Sequence, residues 1–241
     1  PMLLGPLFVQ ATSGSTMTGE FDEKMIVVAS LWDREAMPWQ ADWYRQRVAS
    51  HLGDKADQQF RLYYTDHALH GDEPQLEDPS RVVPYQGMLQ QSLRDLAAWV
   101  EQGIEPPAST GYRIDDGQVI VPGDVAERKG LQPVVSLAAK SAERVDVKAG
   151  TTVEFTGTVS VPAGTGAVVA AEWDFDVAGE FPVKSDVPAG QTEVSVTAKH
   201  RFNQAGTYFV ALRGASQRAG DADTPYGVIR NLTRVRVVVD D

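Results

Sequence analysis

Residues 24–31, KMIVVASL, form a nearly continuous apolar run. That pattern predicts a β-strand covered on both faces. PLFVQ at 6–10 predicts another strand. Pro38 then opens a helix at the first-turn position, where its missing N–H costs nothing. Trp39, Trp43, Val48 and Leu52 recur at helical spacing behind it, and Gly53 supplies the stop. Phe60–Tyr64 is a short apolar strand, followed by a polar loop with His67, His70, Gly71 and Asp72. A longer helix is expected over roughly 84–103, with Leu89, Leu93, Leu96 and Val100 as its apolar stripe and Gly103 closing it.

IEPPASTG, at 104–111, has the composition of a linker. YRIDDGQVIV beyond it predicts a hairpin turning on Asp116-Gly117. From about 132 the pattern is β throughout. TTVEFTGTVSV alternates with period two, and AVVAAEWDFD, TEVSVTAKHRF, GTYFVALRG and LTRVRVVVD are further strands between Gly/Pro/Asp-rich turns. About seven strands in about 110 residues predict a sandwich. The expected division is an α/β part over 1–108, a hairpin and linker over 109–131, and an all-β sandwich over 132–241.

Composition narrows the chemistry. Of 241 residues, 42% are hydrophobic and 23% charged, which is the balance of a folded protein. A formal net charge of −11 argues against a nucleic-acid partner, whose phosphates need clustered Lys and Arg. It argues equally against an anionic membrane surface. The absence of cysteine excludes disulfides, thiolate metal sites and a cysteine nucleophile. No apolar run has the length of a membrane span. PMLLGPLFVQ lacks the basic region of a signal peptide.

Asp33 follows strand 24–31 directly, and His70 lies just past strand 60–64. If the strands are parallel, both residues stand at carboxyl ends on one sheet edge, where open α/β sheets place their sites. Asp before His is the back half of the order Ser…Asp…His. The carboxylate accepts the imidazole N–H and fixes its tautomer, and the other ring nitrogen takes a serine proton.

DREAMPWQADWYRQRV followed by RLYYTDHALHGD resembles the C-terminal portion of an α/β-hydrolase domain, as found in large bacterial hydrolases in which a sandwich follows. The resemblance spans residues 24–103. It implies a serine hydrolase, most naturally a carboxylic-ester hydrolase, with Asp33 as the acid and His70 as the base. His70 is favoured over His67 because Gly71 follows it, as in the family's His-Gly pair. The family's nucleophile lies in G-x-S-x-G, which this sequence lacks. Ser13 or Ser15 in ATSGS is the nearest substitute. The expectation is instead that the nucleophile and the oxyanion hole belong to an N-terminal half, on the same precursor or a separate chain. Two or three strands and two helices cannot cover their own apolar faces. No cofactor and no metal are expected: His67, His70 and Asp72 match no standard zinc spacing.

The β part resembles a PKD-type or other immunoglobulin-like domain. AAEWDFDVAGEF is similar to the family's W-x-F stretch, and KHRFNQAGTYFVALR to its later segment, with Phe202 in place of a Tyr. The resemblance makes Trp173, Phe175, Tyr208 and Val210 core residues and implies export. Asp174 with Asp176, or Asp221 with Asp223, are solvated turn carboxylates or calcium ligands. A second reading of the whole follows: the sandwich is the functional unit, binding carbohydrate or protein or acting as a spacer.

Overall fold

A computed structural model describes residues 17–71 and 76–241. The strand expected at 6–10, Ser13, Ser15 and Asp72 lie outside the described residues.

β1 (Met25–Ser30) and β2 (Phe60–Thr65) pair in parallel, from Met25 opposite Phe60 to Ser30 opposite Thr65. The crossover between them is α1 (Pro38–Leu52), a 3₁₀ turn (Gly53–Lys55) and the one-turn α2 (Ala56–Gln59). Pro38 starts α1 and Gly53, at φ 54, ends it, as the sequence predicts. The period-two alternation of β2 sends Phe60, Leu62 and Tyr64 against α1 with Val48, and Tyr63 to the opposite face with Met88, Leu131 and Ile229. All six residues of β2 are buried, whereas every residue of β1 is only half-buried. Among the described residues each strand pairs with the other alone, but the second edge of β2 is covered by Ser109 and Thr110 and that of β1 is open.

α3 (Gln86–Gln102) occupies the long helix's expected place, and Gly103 at φ 70 terminates it. Its packing differs from the expected stripe. Leu89, Leu93 and Val100 are exposed, and the buried face is Met88, Gln91, Ser92, Asp95 and Trp99. The sandwich docks on this more polar face: Arg218 Nη2 donates to Asp95 Oδ2 at 2.8 Å, and Gly227 N donates to Gln90 Oε1 at 2.7 Å. Gly87 is required at this crossing, because a Cβ there would run into the Val228 carbonyl. Trp39 and Trp43, at the helical spacing of Val48, do not join it in the core. Trp39 and Trp43 are exposed and Trp32 is half-buried, since the helix stripe they follow points beside the open edge of β1.

The segment expected as a linker is part of the fold. Thr110 N donates to Leu62 O at 2.9 Å, Tyr64 N to Thr110 Oγ1 at 3.1 Å, and Leu62 N to Ser109 Oγ at 3.1 Å. It thereby closes the outer edge of β2. The hairpin β3 (Arg113–Asp115) and β4 (Gln118–Ile120) turns on Asp116 at φ 46 and Gly117 at φ 74, the backbone that makes Asp-Gly favourable there. A short helix, α4 (Val125–Arg128), is capped by Asp124 and leads into the sandwich.

The sandwich has one strand more than the sequence suggested. β5 (Val134–Ala139), β7 (Thr152–Ser160) and β10 (Glu193–Arg201) form one sheet in the order β10-β7-β5. The other sheet, in the order β6-β12-β11-β8-β9, contains β6 (Arg144–Lys148), β8 (Ala167–Asp174), β9 (Val183–Lys184), β11 (Gly206–Gln217) and β12 (Ile229–Asp240). Trp173, Phe155, Val210, Leu212 and Val237 fill the space between the sheets. Trp173, Phe175 and Val210 are core as expected, and Tyr208 is only partly buried at its margin. Among the described residues no helix is long and apolar enough to cross a membrane.

Candidate acid–base site

The parallel pairing of β1 and β2 brings their two following loops together. Leu31 N donates to Thr65 O at 2.9 Å and Trp32 N to Ala68 O at 3.0 Å. Thirty-seven residues apart in sequence, Asp33 and His70 meet there, with His70 Nδ1 at 2.9 Å from Asp33 Oδ2. The other Asp33 oxygen accepts the amides of Glu35 at 2.8 Å and Ala36 at 2.9 Å. Asp33 is therefore not the cap of α1, whose first turn lies beyond it and has no side-chain cap. Its carboxylate is fixed by a local turn and aimed at the imidazole.

Because a carboxylate only accepts, Nδ1 of His70 carries the proton and Nε2 is left with a lone pair. The Asp33 side chain is 9% exposed and that of His70 is 52% exposed. Both line a cleft of about 280 Å³ with Val28, Ser30, Gln40 and Tyr85. Glu35 Oε2 lies 3.9 Å from Nε2. This is an oriented, solvent-accessible base.

The electrostatics follow the contacts. Burial would raise the Asp33 carboxyl, but the amides of Ala36 and Glu35 and the His70 ring outweigh it and hold it below the ordinary 3.8. The hydrogen bond that His70 donates to Asp33, then the charges of Asp33 and Glu35, hold His70 above the ordinary 6.5. The contribution of His70 to stability is thus full below 6.5 and lost as pH rises through its folded midpoint. That of Asp33 is present above 3.8 and lost as pH falls. The pair is expected to stabilise most between those limits. In Asp33→Asn the His70 midpoint, read by NMR titration, is expected to fall toward 6.5; an unchanged midpoint would mean that the two side chains do not interact in solution.

His67 is not brought into the cleft. Its backbone is left-handed, φ 58, and its ring lies 4.7 Å from that of Trp32. Its Nδ1 is 3.1 Å from Asn231 Oδ1 on β12. Burial pushes its pKa down, against the partial opposition of Asp66. His67 therefore has the opposite sign to His70: its contribution is present above 6.5 and lost as pH falls. Sequence reasoning missed Gln132 and Asn231, buried polar residues beside this loop. The one available signal is that Asn231 interrupts the inward-facing apolar positions of a strand.

Among the described residues no three or more His, Asp or Glu are placed to hold a metal ion. Asp174 is not a solvated turn carboxylate. It is buried and accepts the amides of Asp176, Ala178 and Gly179 at 2.8–3.2 Å, closing the loop after β8. Asp221 accepts the amide of Asp223 at 2.9 Å, an exposed turn contact.

The aromatic residues of the sandwich pack on one another. Trp173 and Phe175 stack at 5.8 Å with an interplanar angle of 4°, and His200 stacks on the far side of Phe175 at 4.6 Å. Residues 137–224 match the PKD domain family. The match starts within β5 and ends before β12. Among solved structures, the chain is similar to a PKD domain of an M14-like peptidase from a Thermoplasmatales archaeon, at 14% identity over 46% of this chain and 100% of that one, TM-score 0.33. It is also similar to a CARDB domain from Pyrococcus furiosus, at 15% identity over 45% of this chain and 93% of that one, TM-score 0.34. A β-glucosidase from Listeria innocua aligns with 88% of this chain and 36% of its own length, at 11% identity and TM-score 0.26. No curated protein matches the chain. PKD domains are typically non-catalytic modules and occur in extracellular proteins.

Proposed function

We propose that the PKD domain of this chain is a non-catalytic module, a spacer or a binder of carbohydrate or protein, in an exported protein. The family match over 137–224 supports this reading. The aromatic residues that mark the match are spent on the core and leave the faces of the sandwich for contact. The chain alone is then expected to take no adduct from a serine-reactive fluorophosphonate, its mass staying at 26.2 kDa. An adduct on the chain would overturn the non-catalytic reading and return Ser13 and Ser15 to consideration.

A second reading is favoured by one observation, the 2.9 Å Asp33–His70 bond at the carboxyl ends of two parallel strands. In this reading the α/β part is the acid–base end of a serine hydrolase acting on a carboxylic ester. His70 Nε2 takes the proton of a serine hydroxyl as that oxygen attacks the ester carbonyl, and returns it to the leaving alcohol. Asp33 stabilises the imidazolium formed between those steps. The serine belongs to an N-terminal half of the hydrolase. Such a half would pair along the open edge of β1 and cover Trp39, Trp43, Leu89 and Leu93, which are exposed around it. A co-purifying polypeptide labelled by the fluorophosphonate supports this reading.

A further inference from the structure

The loop that carries His70 is held from the sandwich side of the molecule. The Gln132 side chain, 3% exposed, lies against the backbone of Asp66 as a strand would. Its Oε1 accepts Asp66 N at 2.8 Å, and its Nε2 donates to Asp66 O at 3.0 Å and to Arg230 O at 2.9 Å. Asn231, 2% exposed, secures the next residue. Its Nδ2 donates to Pro133 O at 2.8 Å, and its Oδ1 accepts Leu232 N at 2.9 Å. With the amide oriented by those two bonds, Oδ1 accepts from His67 Nδ1 at 3.1 Å and selects the Nδ1–H tautomer.

His67 is therefore fixed on three sides. Its ring packs on Trp32, its carbonyl accepts Val83 N at 2.9 Å, and its Nδ1 is held by β12. A left-handed backbone at a non-glycine residue is disfavoured and persists where the surroundings impose it. The consequence reaches both members of the acid–base pair. His67 precedes His70 by three residues, and Trp32, whose amide is tied to Ala68, precedes Asp33 directly.

We propose that Gln132 and Asn231 are positioning residues for His70, so that the sandwich is a structural part of the acid–base site. Both lie outside residues 137–224. They belong to the junction with the α/β part, not to the PKD core. The proposal gives the second functional reading a reason for the two domains to be joined rigidly, and it rests on that reading for its catalytic meaning. Among the described residues the groups facing His67 are Asp66, Arg128, Arg234 and Asn231, and those facing His70 are Asp33 and Glu35.

The test is an NMR titration of His70 in the full chain, which needs neither a nucleophile nor turnover. In Asn231→Leu and in Gln132→Met the loop loses its fixing bonds, and the His70 midpoint is expected to shift down toward that of Asp33→Asn. Val210→Ala, in the sandwich core away from the loop, lowers the melting temperature without moving the midpoint. If Asn231→Leu does not fold, His67→Asn breaks the same link from the other side with a residue that tolerates the left-handed backbone. Wild-type titration in Asn231→Leu, Gln132→Met and His67→Asn, or an equal shift in Val210→Ala, would overturn the proposal. Failure of the hydrolase reading shows elsewhere, as turnover that survives His70→Ala.

Discussion

On the hydrolase reading, His70→Ala is expected to lower kcat by roughly 10⁶-fold and to abolish fluorophosphonate labelling of the serine. The size follows from the role. The variant lacks the imidazole that would take the serine proton, and the Asp33 carboxylate left in the cleft is tied to the amides of Glu35 and Ala36. The fold should be unaffected, because His70 is half-exposed and its bond to Asp33 is a surface contact. Melting curves of wild type and variant are thus expected to differ only by the small contribution of that surface pair. Turnover at the wild-type rate in His70→Ala would remove the hydrolase reading and leave the module reading alone.

The largest expected effect on stability is at Trp173. The ring is fully buried, stacks on Phe175, lies 6.4 Å from Phe155, and donates from Nε1 to Ser185 Oγ at 2.9 Å. Trp173→Ala empties the centre of the sandwich, and buried Trp-to-Ala changes cost about 3–5 kcal/mol. That is a large share of the roughly 5–15 kcal/mol by which domains are stable. Chemical denaturation is expected to show the loss directly. Since Trp173 lies away from the His70 loop, folded Trp173→Ala protein should retain the wild-type His70 titration. A cost below 1 kcal/mol would mean that the core is not packed as described.

These two sites differ in how they could be read from sequence. Asp33 and His70 were accessible because parallel pairing follows from two apolar strands with a helical crossover, and parallel pairing alone puts both loops on one edge. Trp173 and Phe175 were accessible because period-two alternation assigns each strand residue a face. Leu89, Leu93 and Val100 were misjudged for a related reason. Periodicity identifies the apolar side of a helix, but burial depends on what docks there. On α3 the sandwich took the side carrying Gln91 and Asp95, and the apolar stripe was left beside the open edge of β1.

The local chemistry of the chain by itself determined where strands, helices and tight turns fall: Pro38 and Gly53 bound α1, Gly103 ends α3, and Asp116-Gly117 turns the hairpin. These are short-range effects of backbone geometry and need no partner. The contacts made across long sequence separations were decided only in the tertiary structure. Ser109 and Thr110 close the edge of β2, and Gln132 and Asn231 grip Asp66 and His67, through single polar side chains that carry no periodic signal. Their value depends on the burial that removes water as a competing partner, and burial is a property of the assembled fold.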